Sequence, residues 1–218
     1  DSIYTSLVKQ GFEALASDSL VVAESHFREA MRHSPSHKSN YLLFRYVGQI
    51  QERQGWEKEV LESYTAGLSQ NPKYVDLMLD RAALYYRMGN EGRALNDYSD
   101  VIDLQPENIE ALLMRAHIYS GMRDYKRARA DYDAILKIDA LNEKAYVGLI
   151  LLNDRDGRPR EAMEQINGLI MVYPQHALLY AIRGGMEQKR KQYERALADL
   201  TRAVELAPRN AHFYVTSG

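Results

Sequence analysis

The sequence predicts an all-α fold of antiparallel helix pairs, and three observations carry that reading. A 34-residue unit recurs along the chain, the apolar residues within each unit fall at helical spacing, and strand signals are missing.

The recurrence is visible by direct alignment. Residues 94–108, 127–142 and 195–210 align without gaps, and Pro72, Pro106, Pro174 and Pro208 are separated by 34, 68 and 34 residues. With that proline as position 32, six units run 4–37, 41–74, 75–108, 109–142, 143–176 and 177–210, with Lys38 to Asn40 inserted after the first. Residues 211–218 begin a further first helix, so the whole of 1–218 reads as one solenoid domain.

Within a unit the elements follow from residue type. Met78, Ala82, Tyr85 and Met88 stand at i, i+4, i+7 and i+10, then Gly89-Asn90, then Ala94, Tyr98, Val101 and Leu104. This is helix, turn, helix. Gly55 and Gly89 sit where the first helix must stop and a positive φ is useful, and the proline closes the second helix. Position 20 is small or β-branched (Ala23, Val60, Ala94, Ala128, Ala162, Ala196) and position 24 large (Phe27, Tyr64, Tyr98, Tyr132, Ile166, Leu200). Position 8 is small in five units (Gly11, Gly48, Ala82, Ala116, Gly184) and Ile150 in the fifth, so two helices are expected to approach closely where position 8 meets position 20.

Such a hairpin, with small residues at 8 and 20, aromatics at 4, 11, 17 and 24, and Pro at 32, resembles the tetratricopeptide repeat family. The resemblance implies a right-handed superhelical α-solenoid, with first helices lining a concave face and positions 2, 5, 9, 12 and 13 turned into it. Two departures stand out. The fifth unit has Ile150, Asn153, Pro159 and an irregular Asn153–Arg158 turn, so its first helix is expected to end early or bend. The fourth has Ala140 in place of Pro, so its second helix is expected to run on slightly.

Composition excludes several kinds of chemistry. With no Cys, disulfides and thiolate sites are out, and a net charge of −2 argues against a nucleic-acid module. No apolar run reaches the length of a membrane span. Starting at Asp1 without Cys, the chain fits an exported protein whose leader was removed, with a lean to a bacterial envelope over the cytoplasm.

Enzyme chemistry finds no foothold either. His33 and His37 are four apart but separated by Pro35, and His26, His117, His176 and His212 lack partners at ligand spacing. Asp154-Arg155-Asp156-Gly157 resembles the middle of a calcium loop, but Leu152 and Met163 would occupy its first and last ligand positions. Gly184-Gly185 lies inside a helix with no strand before it, so it is no phosphate cradle. The reading is a non-enzymatic chain without cofactor or metal. Ten of the 16 Tyr (Tyr64, Tyr85, Tyr98, Tyr119, Tyr125, Tyr132, Tyr146, Tyr180, Tyr193, Tyr214) occupy the repeat's large slots and are expected to pack.

Function is therefore sought on the concave face. The resemblance places Arg45, Gln49, Arg53, Leu79, Ala83, Tyr86, Arg87, Leu113, His117, Val147, Leu151 and Arg155 there as candidate peptide- or protein-binding residues. The family's carboxylate clamp uses Lys and Asn, whereas Val8, Phe12, Tyr46, Asp76 and Asp80 stand in those neighbourhoods, which argues against it.

Position 5 is apolar in five units (Val8, Leu79, Leu113, Val147, Ala181) and position 13 basic in four (Arg53, Arg87, Arg155, Lys189). A cation there also complements the helix dipole. The pattern suits a short, acidic, partly hydrophobic segment lying over units two to five. The alternative is an assembly module acting through its ends, with self-association involving Phe213 and Tyr214. Finally, Arg at position 7 and Asp at position 23 occur together in units three, four and six (Arg81/Asp97, Arg115/Asp131, Arg183/Asp199) and in no other, which predicts an ion pair inside each of those hairpins.

Overall fold

The computed structural model describes residues 1–207, and within them the chain is helical with short turns and no strand. The helices form six pairs: α1 (Ser2–Ala16) with α2 (Leu20–His33), α3 (Asn40–Gln54) with α4 (Glu57–Gln70), α5 (Val75–Arg87) with α6 (Glu91–Leu104), α7 (Ile109–Gly121) with α8 (Tyr125–Ile138), α9 (Glu143–Arg155) with α10 (Pro159–Val172), and α11 (Ala177–Lys189) with α12 (Tyr193–Leu206). The chain divides into two compact units, Asp1–Ile118 and from Tyr119 onward, so the fourth repeat contributes to both.

Each hairpin turns in the same way. Position 15 has positive φ in every repeat: Asp18 (58°), Gly55 (78°), Gly89 (80°), Arg123 (64°), Gly157 (72°) and Lys191 (61°). The next residue's N–H reaches the carbonyl of position 11 (Ser19 to Ala14, Trp56 to Gln51, Asn90 to Tyr85, Asp124 to Tyr119, Arg158 to Asn153, Gln192 to Glu187) at 2.8–3.2 Å. That bond is the long closure of a Schellman cap, which satisfies an otherwise orphaned carbonyl. Every second helix starts at position 17. The Asn90 and Asp124 side chains, at position 16, accept from the N–H three residues on.

Every second helix also ends at position 30, followed by a residue that leaves the helical region: Ser34, Asn71, Gln105, Asp139, Tyr173 or Ala207. The fourth repeat is no exception. Its α8 stops at Ile138 despite Ala140, because Asp139 leaves the helical region (φ −140°, ψ 93°) and its carboxylate accepts from the Leu141 N–H. The fifth is regular as well: α9 reaches Arg155 and has the same 13 residues as α5, α7 and α11, because Gly157 supplies the turn and Pro159 opens α10, where no N–H is needed. Both expected irregularities are thus corrected.

The three extra residues after the first repeat are absorbed between α2 and α3. Asn40 is buried, donates to the Ser34 and Pro35 carbonyls at 2.9 and 3.3 Å, and accepts from the Tyr4 hydroxyl at 2.9 Å. The His37 ring stacks on Tyr4 at 3.7 Å.

Packing follows the small and large slots. A Cβ at Gly11 would lie 2.5 Å from the Phe27 ring, and one at Gly48 would overlap the Tyr64 ring. Position 8 therefore receives the side chain of position 24. In the sixth repeat a Cβ at Gly184 would meet Leu200 at 2.9 Å and the backbone of Ala196, position 20, at 3.3 Å. In the first unit Phe27, Val47 and Ile50 form one core and Tyr64, Leu77, Tyr98 and Val101 another, while Tyr146, Ile150, Ile166 and Leu179 anchor the second unit. Tyr193 departs from the packing expectation: it is 63% exposed at the first turn of α12. Tyr214 lies outside the described residues.

Candidate functional site

Two of the expected ion pairs form as bidentate forks. Arg81 Nε and Nη2 donate to Asp97 at 2.8 and 2.8 Å, and Arg183 Nε and Nη2 donate to Asp199 at 2.7 and 2.7 Å. Both aspartates are buried, and each arginine also reaches the preceding second helix, Arg81 to Thr65 and Arg183 to Asn167. The hydrogen bond to Asp97 is the largest influence on Arg81 and raises its pKa, and Asp199 does the same for Arg183. Arg115 likewise donates to Ser99 on the preceding second helix at 3.1 Å. Its expected partner Asp131 belongs to the other compact unit.

The second and fifth repeats, which lack this pair, bury an amide at position 11 instead. Gln51 is buried and shares a 2.7 Å hydrogen bond with Ser63. Asn153, also buried, accepts from the Arg129 guanidinium at 2.9 and 3.1 Å and donates to Gln165 at 3.0 Å.

In the first unit, the candidate residues bring successive first helices together. Arg45 on α3 donates to Asp80 on α5 at 2.7 Å and lies 3.5 Å from Asp76. Burial works against the Arg45 charge, but the hydrogen bond and charge of Asp80 outweigh it, and the net effect raises its pKa. Asp80 is itself pushed up by burial, only partly offset by Arg45. Tyr86 on α5 meets His117 on α7 through a 3.1 Å hydroxyl–imidazole contact. Leu79, Ala83, Leu113 and Gln49 are half-buried, and Leu79 and Tyr86 also pack against the core.

The basic row at position 13 has a function that its spacing alone did not reveal. Arg53 pairs with Asp18 at 2.6 Å, Arg87 with Glu52 at 2.9 Å and Lys189 with Asp154 at 3.5 Å, each reaching a carboxylate 35 residues earlier. These are clips from one repeat to the one before it. Arg155 is exposed, and 35 residues before it stands Ser120 in place of a carboxylate. Beside it in the second unit, Val147 is half-buried and Leu151 exposed.

Two histidines face single carboxylates. His33 lies 2.8 Å from Asp1 and His176 3.2 Å from Glu143. Among the described residues no group of three His, Asp or Glu could hold a metal, and no helix is long and apolar enough to cross a membrane.

Comparison with known proteins agrees with this geometry. The tetratricopeptide repeat profile matches residues 109–140. A tetratricopeptide repeat protein from Parabacteroides merdae is 27% identical, and its structure aligns over 100% of this chain and 99% of its own with a TM-score of 0.73. The repeats are tetratricopeptide repeats. Among the described residues, twelve helices in six pairs fit six of them. YrrB, a TPR protein with an unusual peptide-binding site, is similar at 14% identity over 88% of this chain and 96% of that one, with a TM-score of 0.64. The first TPR of Spaghetti (RPAP3), bound to the HSP90 peptide SRMEEVD, is similar at 21% identity over 56% of this chain and 96% of that one, with a TM-score of 0.51. No curated protein matches the sequence.

Proposed function

We propose that this tetratricopeptide-repeat chain is a non-enzymatic scaffold that binds an extended segment of a partner protein along its first helices. The observation carrying this reading is the first unit's arrangement of half-buried Leu79, Ala83 and Leu113 beside Arg45, Arg53, Tyr86, Arg87 and His117. Apolar side chains of the segment lie on the leucines, and its acidic groups exchange with Glu52 or Asp18 for Arg87 and Arg53, both of which are about half exposed. In the second unit Val147, Leu151 and Arg155 offer the same combination, with Arg155 free of the clip its equivalents make. The resulting preference is for a short, acidic, partly hydrophobic segment. The two peptide-associated TPR structures above support peptide binding as a mode for this fold, while Val8, Phe12, Asp76 and Asp80 speak against a clamp for a terminal carboxylate.

The test is to select ligands from a library of acidic, partly apolar peptides with the full chain, then titrate the best one against Leu79→Ser/Leu113→Asp and Arg53→Ala/Arg87→Ala variants. Binding weakens with salt, and the leucine variant loses more than the arginine variant. A peptide whose affinity ignores all four residues refutes the reading. A second reading, association through an end of the stack, is favoured by Leu197 and Val204 on α12. They are 69% and 38% exposed, whereas their counterparts Leu61 and Leu68 on α4 are half-buried and buried. Sedimentation of Leu197→Ser tests it. Phe213 and Tyr214, the residues expected to take part, lie outside the described residues.

A further inference from the structure

A cleft of about 650 Å³ opens between α10, α11 and α12 in the second unit. The third repeat shows what is missing from it. There position 11 is Tyr85, buried, with the Arg81 and Arg93 guanidiniums 5.7 and 5.8 Å from its ring centroid. In the fourth repeat position 11 is Tyr119, and Arg127 stands 5.8 Å from its ring. The sixth repeat keeps the cations at the same positions, Arg183 and Arg195, and keeps the fork to Asp199. At position 11, however, it carries Glu187. Both guanidiniums line the cleft, and among the described residues no ring lines it; Arg183 stands 5.6 Å from the ring of Tyr180, outside the cleft lining.

The preceding second helix does not compensate. Position 21 supplies Arg129 to Asn153, but for Glu187 it supplies Met163. Glu187 is 5% exposed, and its Oε2 has no hydrogen-bond partner. Arg190 Nη1, on the same wall, has none either. A buried carboxylate oxygen and a buried guanidinium nitrogen without partners are costly, and both belong to residues that border this opening.

We propose that the cleft is a binding site for a hydroxylated aromatic ring, the side chain of a tyrosine on a partner protein, which takes the place that Tyr85 fills in the third repeat. The ring lies between Arg183 and Arg195, as Tyr85 lies between Arg81 and Arg93. Its hydroxyl donates to Glu187 and accepts from Arg190 once these two side chains turn their orphaned atoms, now closed to water, toward the opening. Arg160, Arg190 and Arg195 around the opening disfavour a lysine or arginine as occupant. Burial, and then the hydrogen bond and charge of Asp199, push the Glu187 carboxyl up to about 7, only partly offset by Arg183, whose Nε lies 3.7 Å from its Oε1. This site is separate from the first-helix surface proposed above.

The test titrates the full chain with p-cresol and follows backbone amide shifts by NMR. The expected result is saturable shifts confined to α10, α11 and α12, with toluene binding at least about tenfold more weakly for want of the hydroxyl. Glu187→Tyr fills the slot with the chain's own ring and abolishes these shifts. Ala198→Phe, which closes the cleft from α12, serves if that variant does not fold. N-acetyltyrosinamide reproduces the p-cresol shifts and N-acetylphenylalaninamide does not. No saturable shift with p-cresol, equal binding of toluene, or unchanged shifts in both filled variants overturns the site. Binding of p-cresol without N-acetyltyrosinamide overturns the partner tyrosine in favour of a free phenol.

Discussion

The third and sixth repeats share an ion pair of the same geometry and differ in what stands beside it. In the third, Tyr85 fills the space between α4, α5 and α6, and Arg81, Arg93 and Asp97 close around it. In the sixth, Glu187 leaves that space open although Arg183, Arg195 and Asp199 are all in place. The fork is thus a property of the hairpin, set by positions 7 and 23, and survives whatever occupies position 11. Position 11 decides whether the seam between two repeats is closed core or accessible cleft.

The largest effect should come from breaking the fork where it is sealed. Asp97→Ala strands the Arg81 charge and is expected to cost about 3–5 kcal/mol in urea unfolding. Asp199→Ala should cost less, because removing Asp199 also relieves Glu187, whose carboxyl it pushes up. Equal losses would mean that the occupant of position 11 does not matter. Next comes Glu187→Tyr, which should stabilise by about 1–2 kcal/mol through ring burial and contacts with Arg183 and Arg195. A lower Tm would refute the equivalence of the two slots.

The same residue gives a pH signature. The native Glu187 holds its proton up to about 7, whereas the unfolded chain releases it near the ordinary 4.5, so the native state binds more protons between those values. Stability must therefore fall as pH rises through that window. Glu187→Gln lacks this component, and its advantage over the parent chain should grow from pH 5 to pH 8 and vanish below the ordinary Glu range.

Two smaller changes probe features common to all repeats. Lys191→Gly removes a side chain from a positive-φ position and should add about 1 kcal/mol or less, while Gly89→Ala at the equivalent place should subtract about 1. Arg87→Ala breaks a half-exposed clip to Glu52, and its cost should stay below about 1 kcal/mol and shrink with salt.

Much of this was legible in the sequence. The period fixed the helix pairs, and the joint appearance of Arg and Asp at positions 7 and 23 marked the fork, because two residues that come and go together inside one chain are read as partners. Other features left weaker signals. Asp18, Arg123 and Lys191 adopt the same turn as Gly55, yet their side chains carry no strong preference for it, so only the alignment to position 15 reveals them. The fifth repeat looked irregular because Asn153 and Pro159 replace the usual aromatics. In fact an amide network and a helix-opening proline keep it in register. The clips of the basic row connect residues 35 apart, neither the 34 of the period nor the 37 across the inserted residues, so a column-by-column reading misses them. The cleft is a missing ring, and absence is visible only once the neighbours that should enclose it have been placed.

The strap that Asn40 makes between α2 and α3 shows where this chain tolerates a change of length. Three surplus residues entered there without shifting the phase of any later helix, because a buried amide, not a fixed turn, ties the joint to Tyr4, Ser34 and Pro35. The hairpin turn has no such slack: a single added residue between positions 14 and 16 would rotate the following helix by about 100° and point its small slots away from their partners. A reporter or binding loop grafted between His37 and Ser39 should therefore leave the hairpins intact, whereas the same graft at Gly55 or Gly89 should unravel one.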